Sequence, residues 1–128
     1  MSNEKTCRVL FVEDEAMVSM LIEDMLDDLG VKIVGPAATL SEAIALARNE
    51  ELDAAILDLN VGGELTYPVA DILRERGISF IFSTGYTRRL LPMRFRDVPT
   101  LHKPYDQHSF ARAMRGALDK SPCEIKAA

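Results

Sequence analysis

Ala54-Ala55-Ile56-Leu57-Asp58-Leu59-Asn60 is an apolar run that ends in a carboxylate. Such a run reads as a strand buried on both faces of a parallel sheet, with Asp58 at its C-terminal end. In open α/β sheets that end borders the ligand crevice. A second run, Val9-Leu10-Phe11-Val12, delivers Glu13-Asp14 in the same way. If the two strands are neighbours, three carboxylates meet in one small volume. Like charges that close cannot all stay ionised without a positive partner. A hard divalent cation with oxygen ligands, Mg²⁺ first among them, answers that need.

Working outward, strand and helix signals alternate along the chain, which predicts a parallel sheet with helices on both faces. Val18, Leu21, Ile22, Met25, Leu26 and Leu29 follow helical spacing, and Gly30 is a natural stop. Met17 and Met20 lie off that stripe, and the acidic residues Glu15, Glu23, Asp24, Asp27 and Asp28 form a solvated face. A short strand, Val31 to Val34, is closed by Gly35-Pro36. Thr39-Leu40-Ser41-Glu42 fits a capping box ahead of a helix with a small-residue face. After Asp58, Gly62 and Gly63 let the backbone pass close to whatever that carboxylate holds. Pro68 suits the N1 position of a third helix, Pro68 to Arg76, ended by Gly77.

Ile78 to Phe82 is the next buried strand, emptying into Ser83-Thr84-Gly85-Tyr86. Residues 87–97 hold four arginines (Arg88, Arg89, Arg94, Arg96) and Pro92, so any helix there is short or broken. Val98 to His102 is a last, weak strand before Lys103-Pro104, and Asp106 caps a final helix. The whole is one domain over residues 1–128, with a core from 7 to 118 and a short tail from 119 to 128.

The net charge of −5 argues against nonspecific binding to nucleic acid or anionic membrane, both of which want a basic face. No apolar run approaches the roughly 18 residues of a membrane span. Cys7 and Cys123 have no metal-like spacing, so the expectation is two free thiols in a reducing, cytoplasmic setting. His102 and His108 lack partners at ligand spacing and read as surface residues.

Four strand ends thus contribute Glu13-Asp14, Asp58, Thr84 and Lys103. Acids that hold a metal, a hydroxyl and an ammonium suit a phosphoryl group, whose transfer needs charge neutralisation and in-line positioning. Asp58 can serve as the nucleophile and form an acyl phosphate.

In order and spacing, Glu13-Asp14, Leu57-Asp58, Ser83-Thr84-Gly85 and Lys103-Pro104 resemble the receiver domain of two-component response regulators. Phe82-Ser83-Thr84-Gly85-Tyr86 is similar to the signature of the single-domain FAT GUY subgroup. Gly35-Pro36-Ala37, Asn60-Val61-Gly62-Gly63 and Tyr67-Pro68-Val69-Ala70 also look like that subgroup or its kinase-attached relatives. The resemblance implies a flavodoxin-like (βα)₅ fold with strand order 2-1-3-4-5 and no output domain of its own. It implies that a histidine kinase phosphorylates Asp58 in the presence of Mg²⁺. Asp14, Asp58 and the Asn60 carbonyl would ligate the metal, with Glu13 acting through water. Thr84 and Lys103 would bind the phosphoryl oxygens, and the Lys103-Pro104 bond would be cis. Partners would be a kinase and a phosphotransferase or other regulatory protein, with the chain a monomer or weak dimer.

Two positions depart from the family. Thr100 stands where most receivers carry an aromatic switch, which leaves Tyr86 as the substitute switch or as a cover over the site. Glu13 replaces the commoner Asp, with a modest change in Mg²⁺ affinity expected. A pseudo-receiver that binds partners without phosphorylation is the first alternative. A phosphohydrolase is less favoured, because the second acid it needs is replaced by Asn60.

Overall fold

The computed structural model describes residues 5–85, 91–103 and 105–125. Among them the strands of the main sheet are β1 (Arg8–Val12), β2 (Lys32–Ala37), β3 (Ala54–Asp58), β4 (Ser79–Thr84) and β5 (Thr100–His102). The helices are α1 (Ala16–Asp28), α2 (Leu40–Asn49), α3 (Tyr67–Glu75) and α4 (Gln107–Leu118). The sheet runs β2-β1-β3-β4-β5, parallel throughout, which is the expected flavodoxin-like order. Phe11 pairs with Ile56, Val12 with Leu57, and Leu57 with Phe82. The ends of β1, β3 and β4 therefore fall level, and Glu13 emerges beside Asp58.

Alternation along these strands builds two cores. Leu10, Val12, Leu57 and Phe82 face one way and pack with Ala43 and Ala47 of α2 and with Val69, Ala70 and Leu73 of α3. Val9, Phe11, Ile56 and Ile81 face the other way, against Ile22 and Leu26 of α1 and Phe110 and Met114 of α4. Each large side chain removed from water in this way contributes about 1.5–3 kcal/mol. The small side chains of α2 let that helix approach the sheet closely.

The expected caps form, with one adjustment. The Thr39 hydroxyl accepts from the Glu42 N–H at 3.1 Å, while the Glu42 carboxylate accepts from Ala38 N–H, one residue before the cap. Asp106 accepts from Ser109 N–H at 2.7 Å. Pro68 sits in the first turn of α3, one residue after its start at Tyr67.

Several expectations change. β2 does not close at Gly35-Pro36 but runs through them to Ala37, with a shift of register against β1 and a cis Gly35-Pro36 peptide bond. Gly35 has φ +114°, and a Cβ there would lie 2.7 Å from the Phe11 carbonyl oxygen, so this crossing requires glycine. Leu21 belongs to the apolar stripe by spacing yet is 54% exposed, and it extends the surface of Met17 (85%) and Met20 (66%). Between β4 and β5 the described residues hold only one turn of 3-10 helix, Met93–Phe95. β5 pairs with β4 over three residues, Thr100 to His102, and Pro99 precedes it.

The cysteines overturn the expectation of free thiols. Cys7 and Cys123, 116 residues apart in sequence, are joined as a disulfide. Spacing could not reveal this, because the fold brings the tail back to the start of β1. There Lys5–Thr6 and Cys123–Glu124 form a two-residue parallel ladder. No described helix is long and apolar enough to cross a membrane.

Candidate functional site

The carboxylates of Glu13, Asp14 and Asp58 each offer an oxygen within 4.8 Å of the others. Asp14 and Asp58 line a cleft of 420 Å³ with Glu15, Asn60, Thr84, Gly85 and Lys103, and the buried Glu13 lies within reach of both acids. Each member is held by the backbone that delivers it. Glu13 N–H donates to the Ala37 carbonyl at 3.0 Å, which ties the end of β1 to β2. Gly62 N–H donates to Asp14 at 2.8 Å, so the glycine loop does reach the acidic site. Gly63 N–H donates to the Asn60 side chain at 3.0 Å and closes the tight turn between Asn60–Val61 and Glu64–Leu65. Lys103 N–H donates to the Thr84 carbonyl at 2.9 Å, which fixes the lysine beside β4.

Lys103 is the positive partner of the acids. Its Nζ lies 3.0 Å from Glu13 Oε1 and 3.2 Å from Asp58 Oδ2. Glu13 is only 2% exposed, and its second oxygen accepts from Glu15 N–H at 3.1 Å. The extra methylene of glutamate is what lets one carboxylate meet Lys103 and turn back to α1 at once. Burial, reinforced by the Glu13 charge, pushes Asp58 up to about 6, with Lys103 pulling the other way. For Lys103 burial acts to lower the pKa, but the hydrogen bonds and charges of Glu13 and Asp58 outweigh it and the net shift is upward.

The donor set fits Mg²⁺, which takes oxygen ligands and is held by one or two carboxylates. Two of the three carboxylates are also short of positive charge, since a single ammonium serves Glu13 and Asp58 and none of the described cations bonds Asp14. Neither histidine belongs to this cluster, and both are exposed, as expected.

The two hydroxyls at the end of β4 part company. Thr84 is buried and lines the cleft, whereas Ser83 meets Tyr105 Oη at 3.1 Å. Burial raises the Tyr105 pKa, with the Ser83 hydrogen bond opposing it. Thr100 is half-buried opposite Phe82 and donates to the Val98 carbonyl at 3.3 Å. Tyr86, Arg88, Arg89 and Pro104 lie outside the described residues, and with them the switch tyrosine and the expected cis Lys103-Pro104 bond.

Thr66 was not legible as a site residue. Its hydroxyl donates to the Asp58 carbonyl at 2.7 Å and reaches the Leu59 carbonyl at 3.3 Å, so it anchors the acid's own backbone. The following residue, Tyr67, stacks on Phe95 at 5.5 Å between centroids. The Arg94 guanidinium carbon lies 4.4 Å from the Phe95 ring centroid, and Arg94 is paired with Asp71 through both Nε and Nη2 at 3.1 Å. The only signal in sequence was a threonine immediately before Tyr-Pro, which also fits an ordinary helix start.

No family model matches this chain. It is 31% identical over 117 residues to the transcriptional regulatory protein PdtaR of Mycobacterium tuberculosis, an alignment over 88% of this chain and 57% of PdtaR. The chain thus spans little more than half the length of that relative. SdrG from Sphingomonas melonis Fr1 superposes with a TM-score of 0.77 at 41% identity, over 88% of this chain and 96% of SdrG. The BeF3-activated conformation of SdrG gives 0.74 at 39% identity, over 87% of this chain and 95% of that one. The receiver domain of sensor histidine kinase PA1611 from Pseudomonas aeruginosa PAO1, with a magnesium ion in its active site cleft, shares the fold. Its TM-score is 0.76 at 22% identity, over 91% of this chain and 100% of that domain.

Proposed function

Because this chain belongs to the receiver-domain family of two-component response regulators, we propose that Asp58 accepts a phosphoryl group from the phosphohistidine of a histidine kinase. The observation that carries this reading is the cleft lined by Asp14, Asp58, Thr84 and Lys103, with the buried Glu13 paired to Lys103 beside it. A carboxylate oxygen of Asp58 attacks phosphorus in line, a new O–P bond forms as the P–N bond breaks, and the imidazole leaves with its electron pair. Lys103, already 3.2 Å from Asp58 Oδ2, neutralises a phosphoryl oxygen, and Thr84 at the cleft wall offers a second contact. Mg²⁺, held by Asp14, Asp58 and the Asn60 carbonyl with Glu13 behind them, would supply the charge that lets phosphoryl oxygens approach the acids.

Members of this family are signalling proteins rather than catalysts of turnover, and Asn60 two residues after Asp58 cannot titrate as a hydrolase's second acid would. Within the family, Phe82-Ser83-Thr84-Gly85-Tyr86 favours the FAT GUY subgroup. We place the protein in the cytoplasm, acting on protein partners by relaying, draining or regulating phosphoryl flow. BeF3 mimics a phosphoryl group on a carboxylate, and a BeF3-activated form of SdrG supports the same chemistry here.

The decisive experiment is intact-protein mass after incubation with a small phosphoramidate, with and without Mg²⁺. A Mg²⁺-dependent gain of one phosphoryl that Asp58→Ala loses supports the reading. Equal labelling of Asp58→Ala overturns the acceptor, and no labelling of the unmodified sequence under any condition favours a pseudo-receiver.

A further inference from the structure

We propose that Cys7 and Cys123 are a reversible thiol–disulfide modification site, opened and closed by a low-molecular-weight thiol such as glutathione. They are the two cysteines of the chain, and the fold places their Cα atoms 4.9 Å apart, within the range a disulfide spans. Cys7 immediately precedes β1 and is completely buried, its carbonyl accepting from Lys32 N–H at 2.7 Å. Cys123 is half-buried in the tail, pairing with Lys5 across the short ladder.

The sulfur–sulfur bond is the one covalent tie between the tail and the start of β1. Beside it lie non-covalent contacts, among them the two-residue ladder, the Ser121 hydroxyl on the Asp53 carbonyl at 3.3 Å, and the packing of Cys123 and Ile125 on the core beneath α1 and α4. A chain end held only by non-covalent contacts opens at a lower free-energy cost than one that is covalently tied. The state of the bond therefore sets how readily the tail undocks.

Unequal burial gives the chemistry a direction. Of the two residues only Cys123 has exposed surface, so a glutathione thiolate attacks on that side; an S–S bond forms to the Cys123 sulfur as the Cys7–Cys123 bond breaks, and Cys7 leaves as a thiolate that takes up a proton. A second glutathione thiolate then attacks the glutathione sulfur of this mixed disulfide. Glutathione disulfide departs, and the Cys123 thiolate released takes up a proton. Two protein thiols and one glutathione disulfide replace one protein disulfide and two glutathione thiols. Oxidation is the reverse and again begins at Cys123. The thiolate released at Cys7 is shut away from water, so both directions are slow.

The test uses the full chain, folded, exposed to glutathione disulfide or to excess reduced glutathione, then denatured with an alkylating agent and weighed intact. Oxidised protein should be two hydrogen masses lighter and take no alkyl group; reduced protein should take two. Cys7→Ala should gain one glutathionyl on Cys123, whereas Cys123→Ser should gain none on Cys7 while folded. Reduction should also speed tryptic cleavage after Lys120 by about tenfold, since cleavage follows the population of the open tail. Two alkylated cysteines after glutathione disulfide treatment, equal labelling of the two single-cysteine variants, or tryptic cleavage indifferent to reduction would each overturn the proposal. The wild-type masses decide it even if Cys7→Ala fails to fold.

Discussion

At the C-terminal ends of β1, β3 and β4 the chain gathers Glu13, Asp14, Asp58 and Lys103 around a cleft, and holds them with ion pairs and backbone hydrogen bonds. At the start of β1 it uses a sulfur–sulfur bond and a two-residue ladder, over the apolar core beneath α1 and α4. The first end stores unfavourable charge, shown by Asp58 titrating near 6 rather than 3.8. The second end is covalent and can only add stability. Ligand chemistry needs a site that is dissatisfied until something binds, and the opposite edge can offset that cost without touching the cleft.

The largest effect should come from the covalent end. Cys123→Ser should lower unfolding stability by about 4 kcal/mol relative to the oxidised protein, because the closed loop is long. Chemical denaturation with and without a reductant checks this, and the variant should match reduced wild type. At the charged end, Lys103→Ala leaves buried Glu13 and Asp58 without their cation. A loss of about 2 kcal/mol at pH 7 is expected, less than for a fully buried pair because Lys103 is partly solvated. Added Mg²⁺ should recover part of it.

Asp58→Asn should move the other way. A carboxyl whose folded pKa is raised stabilises the fold fully below its ordinary 3.8, and that contribution is lost as pH rises through about 6. At pH 7 without Mg²⁺ the ionised Asp58 is a net cost, so Asp58→Asn should gain about 1–2 kcal/mol, and the gain should vanish below about pH 4. A variant less stable than wild type at pH 7 would break the contrast between the two ends. The same titration predicts that phosphoryl acceptance falls as pH drops through 6, with Mg²⁺ moving the midpoint lower. The smallest effect is Thr66→Val, which removes the hydroxyl on the Asp58 carbonyl and should cost about 0.5–1 kcal/mol by thermal unfolding.

Much of this was legible because apolar runs and strand ends are local facts. Val9 to Val12 and Ala54 to Leu57 announced buried strands, and the residues after them supplied the cluster. Thr39, Asp106 and Gly62 were readable from the backbone groups that each position must satisfy. What escaped depends on where distant segments land. The Cys7–Cys123 bond needs the tail to return to β1, and Leu21 fits its helical stripe by spacing but faces outward. Thr66 acts through carbonyls eight and seven residues before it, a contact that no periodicity encodes.

The two outer strands of the sheet carry one more consequence. β2 includes Pro36 and breaks register beside it, and β5 is three residues long behind Pro99. A proline has no N–H to offer an incoming strand, and a short or irregular edge makes a poor template for further pairing. Among the described residues the main sheet therefore presents no long, regular rim on which another chain could nucleate cross-β growth. Replacing either proline would be the change to watch for aggregation at high protein concentration.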